Sequence, residues 1–169
     1  DGDSFLTGCN ISRNRATDGG GLYCAYSRPG IVAHDCTISE NYADFGGGAY
    51  CCMASPTLTG CGIVGNSARF GGGGGAYFWE SNAELAGCSI RGNWCDGWQG
   101  GGGVYCVSST PVLTNCVISA NRCWRGAAMR CLASSPVLTN CTIVGNTGRG
   151  AVTIHCEDDC SPFLTNCIL

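Results

Sequence analysis

The sequence predicts an all-β solenoid, a parallel β-helix of about six and a half coils of 25–28 residues each. Three observations predict it. The phrase PVLTNCVISAN at 111–121 returns as PVLTNCTIVGN at 136–146, and weaker copies run back to FLTGCNISRN at 5–14. Apolar residues recur at spacing two, the strand period, for only two or three residues at a time. Between these runs lie glycine clusters, asparagines and Ser-Pro pairs, which is turn chemistry, and no stretch carries a helical apolar period. A unit this short cannot bury its apolar face alone, so copies stack and bury it for each other.

Each unit opens on a phrase that holds a cysteine, an isoleucine and an asparagine. The cysteine column is Cys9, Cys36, Cys61, Cys88, Cys116, Cys141 and Cys167. An isoleucine follows each of the first six by two residues, from Ile11 to Ile143, so both share one strand face, and Ile168 follows Cys167 directly. An asparagine follows the first six isoleucines by three: Asn14, Asn41, Asn66, Asn93, Asn121 and Asn146. That column reads as an inward or turn-embedded amide ladder, each side chain bonding the next coil. The second phrase is GGGLYC at 19–24, GGGAYC at 46–51, GGGAYF at 73–78 and GGGVYC at 101–106, decaying to AAMRC at 127–131 and VTIHC at 152–156. Here Leu22, Ala49, Ala76, Val104, Met129 and Ile154 face inward with Cys24, Cys51, Phe78, Cys106, Cys131 and Cys156. Tyr23, Tyr50, Tyr77, Tyr105, Arg130 and His155 point the other way. The glycine runs read as tight bends that need positive φ. Coils stacked at about 4.8 Å make a rod roughly 30 Å long.

Residues 1–169 read as one β-helix domain, a segment of a longer repeat chain. The I-x-x-N column resembles the FxxN motif of bacterial polymorphic outer-membrane proteins, with Ile in place of Phe. Gly47-Gly48-Ala49-Tyr50 and Gly74-Gly75-Ala76-Tyr77 resemble their GGA[ILV] motif, with Tyr in the last place. The L-T-N-C-x-I phrase is similar to repeats of large bacterial surface proteins with a pectate-lyase-like fold. The resemblance implies a single-stranded right-handed parallel β-helix on an extracellular or bacterial cell-surface protein. That architecture carries lyases, adhesins and structural rods alike, so function has to come from a site.

Charge is sparse, at 12% of residues with a net of −3, which argues against nucleic-acid binding. No apolar run reaches the length of a membrane-spanning helix. Sixteen cysteines approach the density of a disulfide scaffold, yet twelve sit in the two inward columns. Two arrangements remain open there. The columns are stacked free thiols packing as small hydrophobes, or they bridge within a coil or into the next. Either bridging scheme strands one cysteine opposite Phe78. Of the four cysteines outside the columns, Cys95 and Cys123 each follow a ladder asparagine by two, which makes them the best candidate disulfide.

Catalysis on this scaffold would need grouped carboxylates. Asp18, Asp44 and Asp96 fall three or four residues after the ladder asparagine and would line one edge, with Arg69 and Phe70 breaking the row. Glu157, Asp158 and Asp159 form the one acidic run, a weak candidate for a hard cation. No metal or cofactor is otherwise expected. The strongest surface feature is the stripe Tyr23, Tyr50, Tyr77, Tyr105, Arg130 and His155, for binding or assembly. Trp79, Trp94, Trp98 and Trp124 add aromatic groups in or beside loops. Thr7, Thr59, Thr114, Thr139 and Thr165 come close to an outward threonine array, interrupted at Ala33 and Ala86.

These residues point to a non-enzymatic extracellular or cell-surface rod, structural or adhesive. It would pair through its coil ends with further chain or with another copy of itself, end to end as a filament. The alternative is a carbohydrate-active or carbohydrate-binding β-helix with its site in loops or outside this segment.

Overall fold

The structure is a computed structural model that describes residues 4–27, 30–148, 150 and 153–169. Twenty-three strands form four sheets, every strand pair is parallel and one coil apart, and no helix occurs among the described residues. A leucine sheet has seven strands, from Ser4–Thr7 to Phe163–Thr165. An isoleucine sheet has six, from Asn10–Ser12 to Thr142–Val144. A short sheet has four: Arg15–Asp18, Tyr42–Phe45, Ser67–Ala68 and Trp94–Cys95. A tyrosine sheet has six, from Leu22–Ala25 to Ile154–Glu157.

The corners between sheets explain the short strands. Gly8, Asp35, Gly60, Gly87, Asn115, Asn140 and Asn166 all take positive φ between the leucine and isoleucine sheets. Glycine, Asn and Asp are the residues that tolerate that region at least cost. The cysteine column follows this corner directly. The sequence places Cys and Ile on one strand, but the cysteine sits in the corner and the strand begins after it. The thiol still points inward, where it donates to main-chain carbonyls: Cys88 Sγ to Leu58 O at 3.3 Å and Cys141 Sγ to Leu113 O at 3.4 Å. All sixteen cysteines are free thiols in the structure.

Inside the solenoid, equivalent side chains stack. Leu58, Leu85, Leu113 and Leu138 form one buried column, and Ile38, Ile63, Ile90, Ile118 and Ile143 another. Ala33 belongs to the leucine column, because its register partner is Leu58. His34, not Ala33, therefore interrupts the threonine array, lying between Thr7 and Thr59.

The asparagines make a fully bonded ladder. Asn41 Oδ1 accepts from both the backbone N–H and Nδ2 of Asn14, each at 3.0 Å. Asn41 Nδ2 donates to Ile11 O at 2.9 Å and to Asn66 Oδ1 at 3.0 Å. The pattern continues through Asn66, Asn93 and Asn121 to Asn146. From Asn41 to Asn146, two acceptor sites and two donor hydrogens per amide are used, which is all an amide offers. Burial of such a polar column is tolerable because no group is left unpaired.

The glycine runs have a cause other than the bend expected of them. Gly46 does take positive φ, but Gly47 and Gly48 do not. A Cβ on Gly48 would lie 2.5 Å from Gly75 O and 2.9 Å from Asn66 Nδ2. These glycines let the main chain pass against the amide ladder and the next coil.

Candidate binding groove and side-chain columns

The tyrosine column stacks along its sheet but is not an open stripe. Tyr23 and Tyr50 stack at 5.7 Å, Tyr50 and Tyr77 meet edge-on at 5.2 Å, and Tyr77 stacks on Tyr105 at 5.0 Å. Arg130 lies over the Tyr105 ring, 5.4 Å from its centroid. Yet Tyr50 is 8% exposed, Tyr105 6% and Arg130 4%, while Tyr23 at the first coil is 55% exposed. The rings cover each other, and the loops leaving the short sheet pack beside them. Phe45 tilts against Tyr77 at 6.4 Å, and Gly46 lies close enough that a Cβ there would reach Tyr50 Cβ at 2.9 Å. Burial pushes the Tyr77 phenol up to about 12 and raises Tyr50 further. A broad aromatic platform is therefore not what this column presents.

At its C-terminal end the column becomes ionic. Glu157 receives Arg130 Nη2 at 2.6 Å, Arg125 Nη1 at 3.1 Å and lies 2.6 Å from His155 Nε2. The hydrogen bonds from His155 and then Arg130 hold its carboxyl down at about 2. Arg130 Nε and Nη1 are buried without a hydrogen-bond partner. The acidic run read as a hard-cation candidate is thus divided. Glu157 is committed to basic side chains, and Asp158 and Asp159 are exposed corner residues at positive φ.

The expected aspartate row is also divided. Asp18 pairs in register with Phe45, which places Thr17 beside Asp44. Asp44, Arg69 and Asp96 then follow one another, and no ion pair links them among the described residues. Asp18 is half-buried, and burial with the nearby charge of Asp44 raises its pKa.

The short sheet dwindles along the rod, and a groove opens where it ends. Its strands fall from four residues to two, then to single bridges at Arg122 and Thr147. The loops that follow lengthen in the same region. Eight positions separate Asn41 from Ala49, ten separate Asn66 from Ala76, and eleven separate Asn93 from Val104. The longest loop carries Trp98, which stacks on Trp124 at 4.7 Å with ring planes 8° apart. Beside this pair lies a groove of about 420 Å³, lined by Trp94, Asp96, Arg122, Trp124 and Thr147, with Cys95 and Cys123 as its inner wall. Trp94 and Trp98 are exposed. The lining residues follow Asn93, Asn121 and Asn146 in register, with Trp94, Arg122 and Thr147 bridged in turn, and only Trp98 comes from the lengthened loop.

Cys95 and Cys123 are brought together as neighbouring buried thiols. Cys95 N–H donates to Arg122 O at 2.9 Å, fixing adjacent register. Cys123 Sγ lies 2.9 Å from Gly100 O. The hydrogen bond from Cys95 draws the Cys123 thiol down and raises its own donor.

Four parallel sheets wound around stacked Leu, Ile and Asn columns define the class: a parallel β-solenoid. The family model described as "Right handed beta helix region" matches residues 2–169, and the chain belongs to that family. No curated protein and no solved structure matches it.

Proposed function

We propose that the chain is a non-enzymatic, extracellular or cell-surface β-helix rod that holds a saccharide in the tryptophan groove. The observation that carries this reading is the stacked Trp98–Trp124 pair beside a polar groove. An indole face suits the C–H face of a sugar ring, and Arg122, Asp96 and Thr147 offer hydrogen bonds to hydroxyls or a uronate. The groove lining contributes one carboxylate, Asp96, whereas glycoside hydrolysis uses a pair flanking the bond. Retention therefore fits this lining better than cleavage. Calorimetry against neutral and acidic oligosaccharides tests it. Binding that falls at least tenfold in Trp98→Ala supports the reading. Binding unchanged by that substitution, or none across the panel, removes it, and release of new sugar ends would favour the carbohydrate-active alternative.

Assembly through coil ends rests on a separate observation. Leu169 falls in line after the isoleucine column, whose members Ile38 to Ile143 are buried, because Ile168 is the register partner of Thr142; both Ile168 and Leu169 are exposed. These apolar groups suit another coil, from further chain or from a second copy. Sedimentation over a concentration series, with electron microscopy, would show elongated species if copies stack.

A further inference from the structure

We propose that Cys131, Cys156 and Cys160 form a three-thiolate site for a borderline-soft divalent cation of the zinc class. This inference stands apart from the saccharide reading. It starts from an irregular corner. Four residues separate Leu132 from Val137, but five separate Glu157 from Phe163. Corresponding corners in the preceding coils have one residue at positive φ, as at Met53, Glu80, Ser108 and Ala133. The sixth has two in succession, Asp158 and Asp159, both at 53°.

The extra residue changes what the corner carries. Ser81, Ser109 and Ser134 form a buried column there: Ser81 N–H donates to Ser109 Oγ and Ser109 N–H to Ser134 Oγ, each at 3.0 Å. Ser161 N–H donates to Ser135 Oγ, which places Cys160 next in line after Ser134. A thiol thus stands where the earlier coils have hydroxyls. On the adjoining strand, Cys131 and Cys156 are register partners facing inward. The three Sγ atoms all lie within 4.8 Å of one another.

That geometry suits a metal. A zinc–thiolate bond of about 2.3 Å implies sulfur–sulfur separations near 3.8–4.0 Å, so closure needs shifts of roughly 1 Å at most. Cys131 is fully buried and closes the inner side; Cys156 is exposed and gives the ion its way in. Binding breaks three S–H bonds, forms three metal–sulfur bonds and releases three protons to water, so affinity falls as pH falls. Three ligands leave a fourth position for water or another donor. The ion would fasten the corner of the sixth coil to the strand of the fifth.

Titration of the reduced, chelator-treated chain with Co²⁺ tests this. The expected result is a thiolate-to-cobalt charge-transfer band that saturates at one equivalent, corresponds to three thiolates and is displaced by Zn²⁺. Cys160→Ser restores the residue type of the earlier corners, so the fold is kept. It should remove a third or more of the band and weaken Zn²⁺ binding at least tenfold. Cys95→Ser should leave both unchanged. The proposal is overturned by absence of the band, by a band indifferent to Cys160→Ser, or by recovery of Cys156–Cys160 as a disulfide from native material.

Discussion

Replacing Asn66 by aspartate makes the amide ladder sensitive to pH. Asn66 is fully buried. Its Oδ1 accepts the N–H and Nδ2 of Asn41 at 3.0 Å, and its Nδ2 donates to Ile38 O at 2.9 Å and Asn93 Oδ1 at 3.0 Å. In Asn66→Asp one oxygen keeps the two donors, while the other faces two acceptors. A protonated carboxyl restores one of those bonds; an ionised one restores none and is buried as well. The folded state therefore holds the proton, and the folded pKa rises above the unfolded value of about 3.9. Above that pH the native state binds more protons than the unfolded one, so stability falls as pH rises. At pH 4 the loss is about 1–3 kcal/mol, for one unsatisfied acceptor. A rise of two to three units adds roughly 3–4 kcal/mol by pH 8. Asn66→Ala instead orphans the Asn41 N–H and one Asn41 amide hydrogen, costing about 2–6 kcal/mol with no pH dependence. Guanidinium unfolding of the three proteins between pH 4 and 8, each compared with the parent at the same pH, measures this. A flat pH profile for the aspartate variant, or an alanine variant within about 1 kcal/mol of the parent, would refute the reasoning.

Further outcomes follow from other columns. Glu157→Gln leaves Arg130 buried without its counter-ion and should cost roughly 3 kcal/mol, the low end for a broken buried pair because Glu157 is partly open to water. In the parent, Glu157 titrates at about 2 when folded against an ordinary value of 4.5, so its contribution is complete above 4.5 and fades as pH falls toward 2; the variant's acid-unfolding curve should lack that component. Alkaline absorbance titration should show Tyr77 ionising at about 12 and Tyr50 later still, with Tyr50→Phe removing the last step. Mild oxidation should join Cys95 to Cys123, seen as one linked peptide pair, and Cys123→Ser should abolish it; recovery of both as free thiols after oxidation would count against the pairing.

The repeat is legible in sequence wherever one residue type serves one geometric need. Gly, Asn or Asp before each column cysteine marks the left-handed corner, and the I-x-x-N spacing marks the ladder. Other corners are silent, because Tyr26, Met53, Glu80 and Ala133 adopt positive φ without belonging to types that favour it; the stacked coils impose it. The tyrosine column was readable as a stack but not as a buried one, since its cover comes from neighbouring rings and from loops. Trp98, which stacks on Trp124 at the groove, and the thiol cluster depend on insertions, which break the periodicity that makes the remainder readable. A one-residue insertion carries no chemical signature until the register around it is known.

The amide ladder also gives the rod a direction. Each ladder asparagine from Asn14 to Asn121 sends an amide hydrogen to the side-chain oxygen of the ladder asparagine in the coil after it. Aligned amides polarise one another, so each link strengthens its neighbours and the column behaves as a wire of dipoles along the axis. The two faces of the stack are thus electrically unlike. Two copies meeting face to like face would set oxygen against oxygen or hydrogen against hydrogen. If copies add at their ends as proposed, only head-to-tail addition would keep the dipoles in line, and such a contact would not close on itself: it would yield a polar fibre with unequal ends, not a symmetric pair.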